Sequence, residues 1–113
     1  MSLLFAHLRI ANALRCEASF HPIQEWSETD WMCAIAGEVG EAANKIKKRK
    51  RGERIDVDEV ADELADAVIY IDLLASRMGF HLEEAVVRKF NEVSRRVGSD
   101  MALTVKFQGG TNT

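Results

Sequence analysis

Two pairs of acidic residues have the spacing that binding a metal ion from helices would need. Glu38 and Glu41 form the first pair, and Glu63 and Asp66 form the second, both in segments that we expect to be helical. Side chains three positions apart lie on one face of a helix, with Cβ atoms roughly 5–6 Å apart. Each pair therefore directs two carboxylates at one place. Carboxylate oxygens are hard ligands, and four of them together favour Mg²⁺ or Mn²⁺.

The spacing alone also allows a plainer interpretation. Acids three apart are common on solvated helix faces, where they form i,i+4 ion pairs with residues such as Lys45. Glu59 and Asp62 repeat the second pattern one turn earlier. The apolar stretch after Asp66 favours the later match, because a carboxylate beside buried surface needs a metal, a cation or a proton.

Four helical segments must position these acids. A proline ends the first segment, because the residue before proline is disfavoured in helical geometry. Polar capping residues begin the second at Ser27, and glycines follow the second and third. We expect helices over residues 2–19, from about 28 into the basic run before Gly52, 57–78 and 82–97, and one short strand over 102–107. The prediction is an all-α four-helix bundle in one domain over residues 1–113, with a core of about 3–97 and an irregular tail over 98–113.

The second half of the third segment, residues 67–75, is apolar almost all round. Such a helix must be covered on several sides, and a chain of 113 residues has few elements to cover it. We therefore expect a second subunit to complete the bundle, in a homodimer or homotetramer. Asp72 interrupts this stretch, and the sequence leaves open whether it pairs with an arginine across an interface or lines a site.

Composition excludes some classes of partner. The net charge of −3 and the pI near 5.6 argue against a nucleic-acid partner, and the basic run over residues 45–54 is typical of a solvated helix end. No segment approaches the roughly 18 consecutive apolar residues of a membrane span, so we expect no membrane partner. Cys16 and Cys33 lack metal-type spacing, which indicates reduced thiols and a cytoplasmic location.

The residues around the acids are more specific than the spacing. The segment EVGEA at residues 38–42, followed by DELADAVIY at 62–70, resembles the ExxE…ExxD signature of the MazG-like all-α nucleoside triphosphate pyrophosphohydrolases. Residues 79–86 and 89–92 are similar to the helix that follows in that family. The resemblance extends over about residues 26–96.

This resemblance implies a helical bundle, a dimer or dimer of dimers, and hydrolysis between the α and β phosphates. The products would be a nucleoside monophosphate and pyrophosphate, and the expected role is cleaning of the nucleotide pool. Carried over by position, the metal ligands are Glu38, Glu41, Glu63 and Asp66, with Mg²⁺ expected and Mn²⁺ as the alternative. Glu41 and Glu38 are the expected catalytic carboxylates, and Glu41 is the candidate to accept a proton from the attacking water.

Two further groups of residues are candidates for substrate contacts. The family resemblance and the nearby basic run predict phosphate contacts at Lys89, Asn91, Arg95 and Lys48. Aromatic residues near the first two helices predict base binding at His21, Trp26 and Trp31, since stacking on a base contributes roughly 1–3 kcal/mol. Trp31 also lies on an apolar helix face, so core packing remains open for it.

Other functions compete with this one. One is a narrower dUTP- or dCTP-type hydrolase or a phosphoribosyl-ATP pyrophosphatase, and another is a non-catalytic helical interaction protein whose acids only add solubility. A di-iron bundle uses Glu-x-x-His pairs. None of His7, His21 and His81 follows a glutamate by three residues, which argues against such a centre.

Overall fold

The computed structural model of the protein describes residues 4–105 and forms four α-helices within them. The helices are α1 (Phe5–Arg15), α2 (Glu28–Lys50), α3 (Val57–Met78) and α4 (Leu82–Val97). The stretch over 4–105 contains no strand, so the predicted all-α class is confirmed. Residues 102–105 of the expected strand are irregular, and 106–107 lie outside the described residues. No helix in the described range is both long and apolar enough to cross a membrane.

Local signals in the sequence begin and end the helices close to the expected positions. Ser27 and Asp30 form a capping box, in which the Ser27 Oγ accepts the Asp30 N–H at 3.1 Å and the Asp30 carboxylate accepts the Ser27 N–H at 3.0 Å. Gly79 ends α3 in the left-handed conformation, with φ of 82°, which glycine adopts without a steric cost. The predicted bounds of α3 and α4 are confirmed.

The first helix is shorter than expected. Its α-helical part ends at Arg15, and Cys16–Phe20 continue as a π-helical turn before a 3₁₀ turn over Ile23–Glu25. The His21 N–H donates to the Cys16 carbonyl at 2.9 Å, five residues back. The Glu17 carboxylate accepts the Ile23 N–H at 2.7 Å, so a side chain completes the turn. Such π turns occur often beside functional sites.

The core lies where α1, the two turns, the start of α2 and the end of α3 meet. Cys16, Ile23, Trp31 and Leu73 form its buried cluster. Trp31 is 1% exposed, and its indole N–H donates to the Ile23 carbonyl at 3.2 Å. Of the two alternatives for Trp31, core packing is therefore the observed one, although one side of the indole also lines a cavity.

A buried polar network joins α1 to α3. The Asp72 carboxylate is 1% exposed and accepts hydrogen bonds from Arg9 Nε and Asn12 Nδ2, each at 3.2 Å. Asn12 also donates to the Ile69 carbonyl at 2.9 Å. Asp72 therefore pairs with an arginine of its own chain, and α1 covers part of the apolar half of α3 that we expected a second subunit to cover.

One side of the α2–α3 hairpin remains open. Six large apolar side chains there are between 39% and 60% exposed: Met32, Val39, Ile46, Val57, Leu64 and Val68. On α2, each of these residues comes one position after a residue that faces α3. On α3, Leu64 and Val68 likewise come one position after a residue that faces α2. Because the two helices run antiparallel, the same offset of about 100° turns both sets towards one side. The hairpin therefore has a continuous apolar surface, named here the open face.

Substitution of Asp72 by alanine should lower the free energy of unfolding by about 3 kcal/mol, because it removes the counter-ion of the part-buried Arg9 and one of the two acceptors of the buried Asn12 amide. Urea denaturation measures this change. The control is Glu92→Ala, which removes an exposed partner of Lys89 at 2.7 Å and should change the free energy of unfolding far less than Asp72→Ala. Equal losses in the two variants would contradict a stabilising role for the Asp72 network.

Candidate metal centre and adjoining cavity

Three of the four predicted metal ligands meet where α2 packs on α3. Glu38, Glu41 and Glu63 each offer one carboxylate oxygen, and these oxygens lie within 4.8 Å of one another. We call this group the carboxylate cluster. It contains Glu63 and not the competing Glu59, whose carboxylate instead accepts the Asp56 N–H at 3.0 Å and caps α3. The register of the hairpin thus decides between the two acidic patterns of α3.

The acids of the carboxylate cluster repel one another, and one of their oxygens is buried without a hydrogen-bond donor. Burial raises the pKa of Glu38, and the adjacent Glu63 carboxyl and the negative charges of Asp66 and Glu41 raise it further. Glu38 Oε2 is buried and has no hydrogen-bond donor. A buried acceptor without a donor costs free energy, and so do like charges in contact. Both costs would be relieved by a cation at this place.

One lysine compensates part of this charge. The Lys45 ammonium lies 3.0 Å from Glu63 Oε2, and this hydrogen bond raises the pKa of Lys45. The plainer interpretation of the sequence predicted an i,i+4 pair between Lys45 and an acid of its own helix. Lys45 instead pairs across the hairpin with α3, beside the carboxylate cluster.

The donor set fits a divalent metal ion. Mg²⁺ binds oxygen at roughly 2.0–2.1 Å, so two ligands of one ion are at most about 4.2 Å apart. Oxygens already within 4.8 Å of one another need only a small closing movement to reach that geometry. The unpaired Glu38 oxygen is the group with the most to gain from such an ion. Glu41 is exposed, which leaves one side of the carboxylate cluster accessible to solvent.

Asp66, the fourth predicted ligand, lies outside the carboxylate cluster and lines the cavity beside it. Its negative charge still acts on Glu38, where it contributes to the raised pKa. Asp66 therefore stands at the boundary between the carboxylate cluster and the cavity. A three-residue spacing on α3 predicts a shared face, but it does not determine which carboxylate points at which neighbour.

The cavity has a volume of about 310 Å³ and aromatic walls. His21 stacks on Trp26 with 4.6 Å between ring centroids, and Trp26 lies 4.6 Å from Trp31. The volume is at the lower end of the roughly 300–1,000 Å³ typical of ligand pockets. The structure thus brings together the three aromatic residues predicted to bind a base. His21 and Trp26 are half-buried and accessible, whereas Trp31 is the buried wall.

Several residues that line this cavity were not among the predicted site residues, and Tyr70 and Arg15 are the two with large polar side chains. Tyr70 lies 6.2 Å from Trp31, and Arg15 holds its guanidinium 5.6 Å from the centroid of the Phe20 ring. Tyr70 follows Asp66 by four positions and therefore shares its helix face, which is a signal that the sequence contained. Arg15 has no such signal, because the π turn after α1 determines what lies beside it.

The four predicted phosphate contacts are elsewhere. Neither the carboxylate cluster nor the lining of the aromatic cavity includes Lys48, Lys89, Asn91 or Arg95. The Asn91 side chain donates to the Leu103 carbonyl at 3.0 Å and accepts the Leu103 N–H at 2.9 Å, so it anchors the segment after α4. Lys89 pairs with Glu92. Within the described residues α4 packs mainly on α1, away from the acids of α2.

One of the comparisons with known proteins gives a match, and it identifies a family. A family model described as the MazG nucleotide pyrophosphohydrolase domain matches residues 27–98, which is more than half of the chain. The matched range contains the carboxylate cluster, Asp66 and Tyr70, and it begins just after Trp26. No curated protein and no solved structure matches the chain significantly. By the extent of this match, the chain belongs to the MazG nucleotide pyrophosphohydrolase family.

Proposed function

We propose that the chain is a Mg²⁺-dependent nucleoside triphosphate pyrophosphohydrolase that releases a monophosphate and pyrophosphate from ribo- or deoxynucleotides. The observation that carries this proposal is the contact between two unlike surfaces. A group of carboxylates with an unsatisfied buried oxygen adjoins an aromatic cavity, and Asp66 lines this cavity while its charge acts on Glu38 of the carboxylate cluster. A nucleotide has the matching parts, an anionic end that needs metal ions and a flat ring that stacks.

Glu38, Glu41 and Glu63 are the proposed ligands of Mg²⁺, or of Mn²⁺ in its place, with Asp66 as the fourth. The bound metal supplies neutralisation of phosphate charge and polarisation of a water molecule. Glu41 is the exposed member of the carboxylate cluster, and we assign it the acceptance of the water's proton. Glu38, held between α2 and α3, keeps its oxygens at a fixed place in the carboxylate cluster.

The aromatic cavity is the proposed base site. His21 and Trp26 offer accessible ring faces, and Trp31 supports them from the core. Asp66, Arg15 and Tyr70 place polar groups on the same walls. A site of this kind discriminates among bases through hydrogen bonds that a wrong base leaves unmade.

We further propose that two copies of the chain associate through the open face. The radius of gyration is 16.7 Å, compared with about 13 Å for a compact chain of this length. Apolar side chains in one continuous surface favour association with a surface of the same kind. A homodimer on this face, or a homotetramer built from it, would cover these exposed apolar side chains.

In the cell, the proposed role is hydrolysis of unwanted nucleotides in the cytoplasm. The cysteines support this location, because Cys33 is an exposed free thiol and Cys16 is a buried one. Free thiols persist in reducing compartments.

The activity test compares wild-type protein with Glu38→Gln. Wild type should release pyrophosphate from nucleoside triphosphates with Mg²⁺, and EDTA should stop the reaction. Glu38→Gln should lower kcat/KM by about 10²-fold or more, because a neutral amide is a weak ligand for Mg²⁺. The control Glu53→Gln changes an acid of the loop after α2, which pairs with Arg51, and should remain active.

The same variant separates loss of chemistry from loss of fold. Without metal, Glu38→Gln should have a higher melting temperature than wild type, because one of the mutually repelling charges is removed. Mg²⁺ should raise the melting temperature of wild type and have little effect on the variant. Full activity in Glu38→Gln would remove this residue from the metal site.

Base binding is tested at Trp26. Trp26→Ala should raise KM for triphosphates by about tenfold, since stacking contributes roughly 1–3 kcal/mol. Trp26→Phe keeps an aromatic ring and should have a KM close to that of wild type. Steady-state kinetics of pyrophosphate release measure both. Phe90 on α4 is an exposed aromatic residue outside the cavity, so Phe90→Ala serves as the control. A similar rise in KM for Phe90→Ala would show that the effect is not specific to the cavity.

The oligomer is tested at Val68, which belongs to the open face. Light scattering coupled to size-exclusion chromatography should give a dimer or tetramer for wild type and a smaller species for Val68→Lys, since a charge in an apolar interface is costly. Leu14→Lys places the same charge at an exposed position of α1 and should leave the assembly intact. A wild-type monomer at micromolar concentration would exclude the association.

A further inference from the structure

Lys45 occupies a special position among the basic residues. Its ammonium contacts Glu63, and no other lysine or arginine of residues 4–105 lies within ion-pair distance of an acid of the carboxylate cluster. The side chains of Lys45 and Glu63 are only 29% and 13% exposed. Lys45 is also one turn beyond Glu41 on α2, at the rim of the carboxylate cluster.

The contact with Lys45 and a bound metal compete for the same acid. An ammonium 3.0 Å from Glu63 Oε2 takes up acceptor capacity that a metal ion would use. Coordination at roughly 2.1 Å would place a divalent ion and the ammonium on one carboxylate, where the two positive charges repel. The four-carbon stem of lysine lets the ammonium move without displacing the helix.

We propose that Lys45 is an exchangeable cation: it neutralises Glu63 in the metal-free protein, a divalent ion displaces it, and the freed ammonium then contacts a phosphate oxygen of the substrate. This inference rests on the proposed function, because it names the part that one residue plays at the proposed metal site. It predicts that metal and nucleotide bind with positive coupling. Metal alone must break the Lys45–Glu63 pair without replacement, whereas metal with a triphosphate provides a new partner for the ammonium.

The first measurement is the affinity for Mg²⁺ alone, by titration calorimetry. Lys45→Gln should bind Mg²⁺ about two- to fivefold more tightly than wild type, the range expected for removing one competing, partly exposed ion pair. Removal of a positive charge would also strengthen Mg²⁺ binding at a distance, so the matched control is Lys47→Gln. Lys47 is exposed and two positions further along α2, and its variant measures the effect of charge without the contact. Lys45→Gln must exceed Lys47→Gln for the proposal to stand.

The second measurement is binding of a non-hydrolysable nucleoside triphosphate at saturating Mg²⁺. Lys45→Gln should bind it at least about twofold more weakly than wild type, while Lys45→Arg should restore the affinity. Equal Mg²⁺ affinity in Lys45→Gln and Lys47→Gln would overturn the proposal and leave Lys45 as a structural link between α2 and α3. Unchanged triphosphate affinity in Lys45→Gln would overturn the transfer to phosphate.

These outcomes are separable from failure of the proposed function. If wild type binds Mg²⁺ but releases no pyrophosphate, the proposed enzymatic activity is wrong. The two lysine variants would still decide whether Lys45 competes with the metal. Wild type that does not bind Mg²⁺ at all would overturn both proposals.

Discussion

The packing of α2 on α3 holds together carboxylates that repel one another. Apolar contacts at Ile35, Ala42 and Ala67, all nearly fully buried, keep the helices close enough for this repulsion to persist. Glu38 shows the cost in its raised pKa and its unpaired buried oxygen. Any group that neutralises the carboxylate cluster would therefore also stabilise the fold, because it would relieve a repulsion that folding imposes.

The acidic and aromatic halves of the site are joined by one helix. On α3 the residues Glu63, Asp66 and Tyr70 follow one another at three- and four-residue steps, so a single face runs from the carboxylate cluster into the cavity. The opposite wall comes from the end of α1 and its π turn, which Asp72 anchors to α3 through Arg9 and Asn12. Helix α3 therefore sets the distance between the carboxylate cluster and the aromatic cavity, and a network outside both holds the cavity wall in place.

Within the described residues, the chain covers one side of the α2–α3 hairpin and leaves the other side exposed. α1 covers α3 on the side of the cavity, whereas the open face exposes an apolar surface that α2 and α3 share. The candidate phosphate contacts on α4 are engaged within their own region, as the two hydrogen bonds between Asn91 and Leu103 illustrate. The proposed assembly would explain the open face, because a second copy of the chain would cover it.

Local physics let the sequence predict the helices, the capping at Ser27, the stop at Gly79 and the i,i+3 acids, because these depend on neighbours within one or two turns of chain. Other features depend on which helix faces meet, so the packing of the helices determined them. The register of the hairpin selected Glu63 over Glu59 and gave Lys45 its partner on the other helix. Burial made Trp31 a core residue while Trp26 stayed accessible. These outcomes follow from contacts between residues far apart in the chain, which no local pattern encodes.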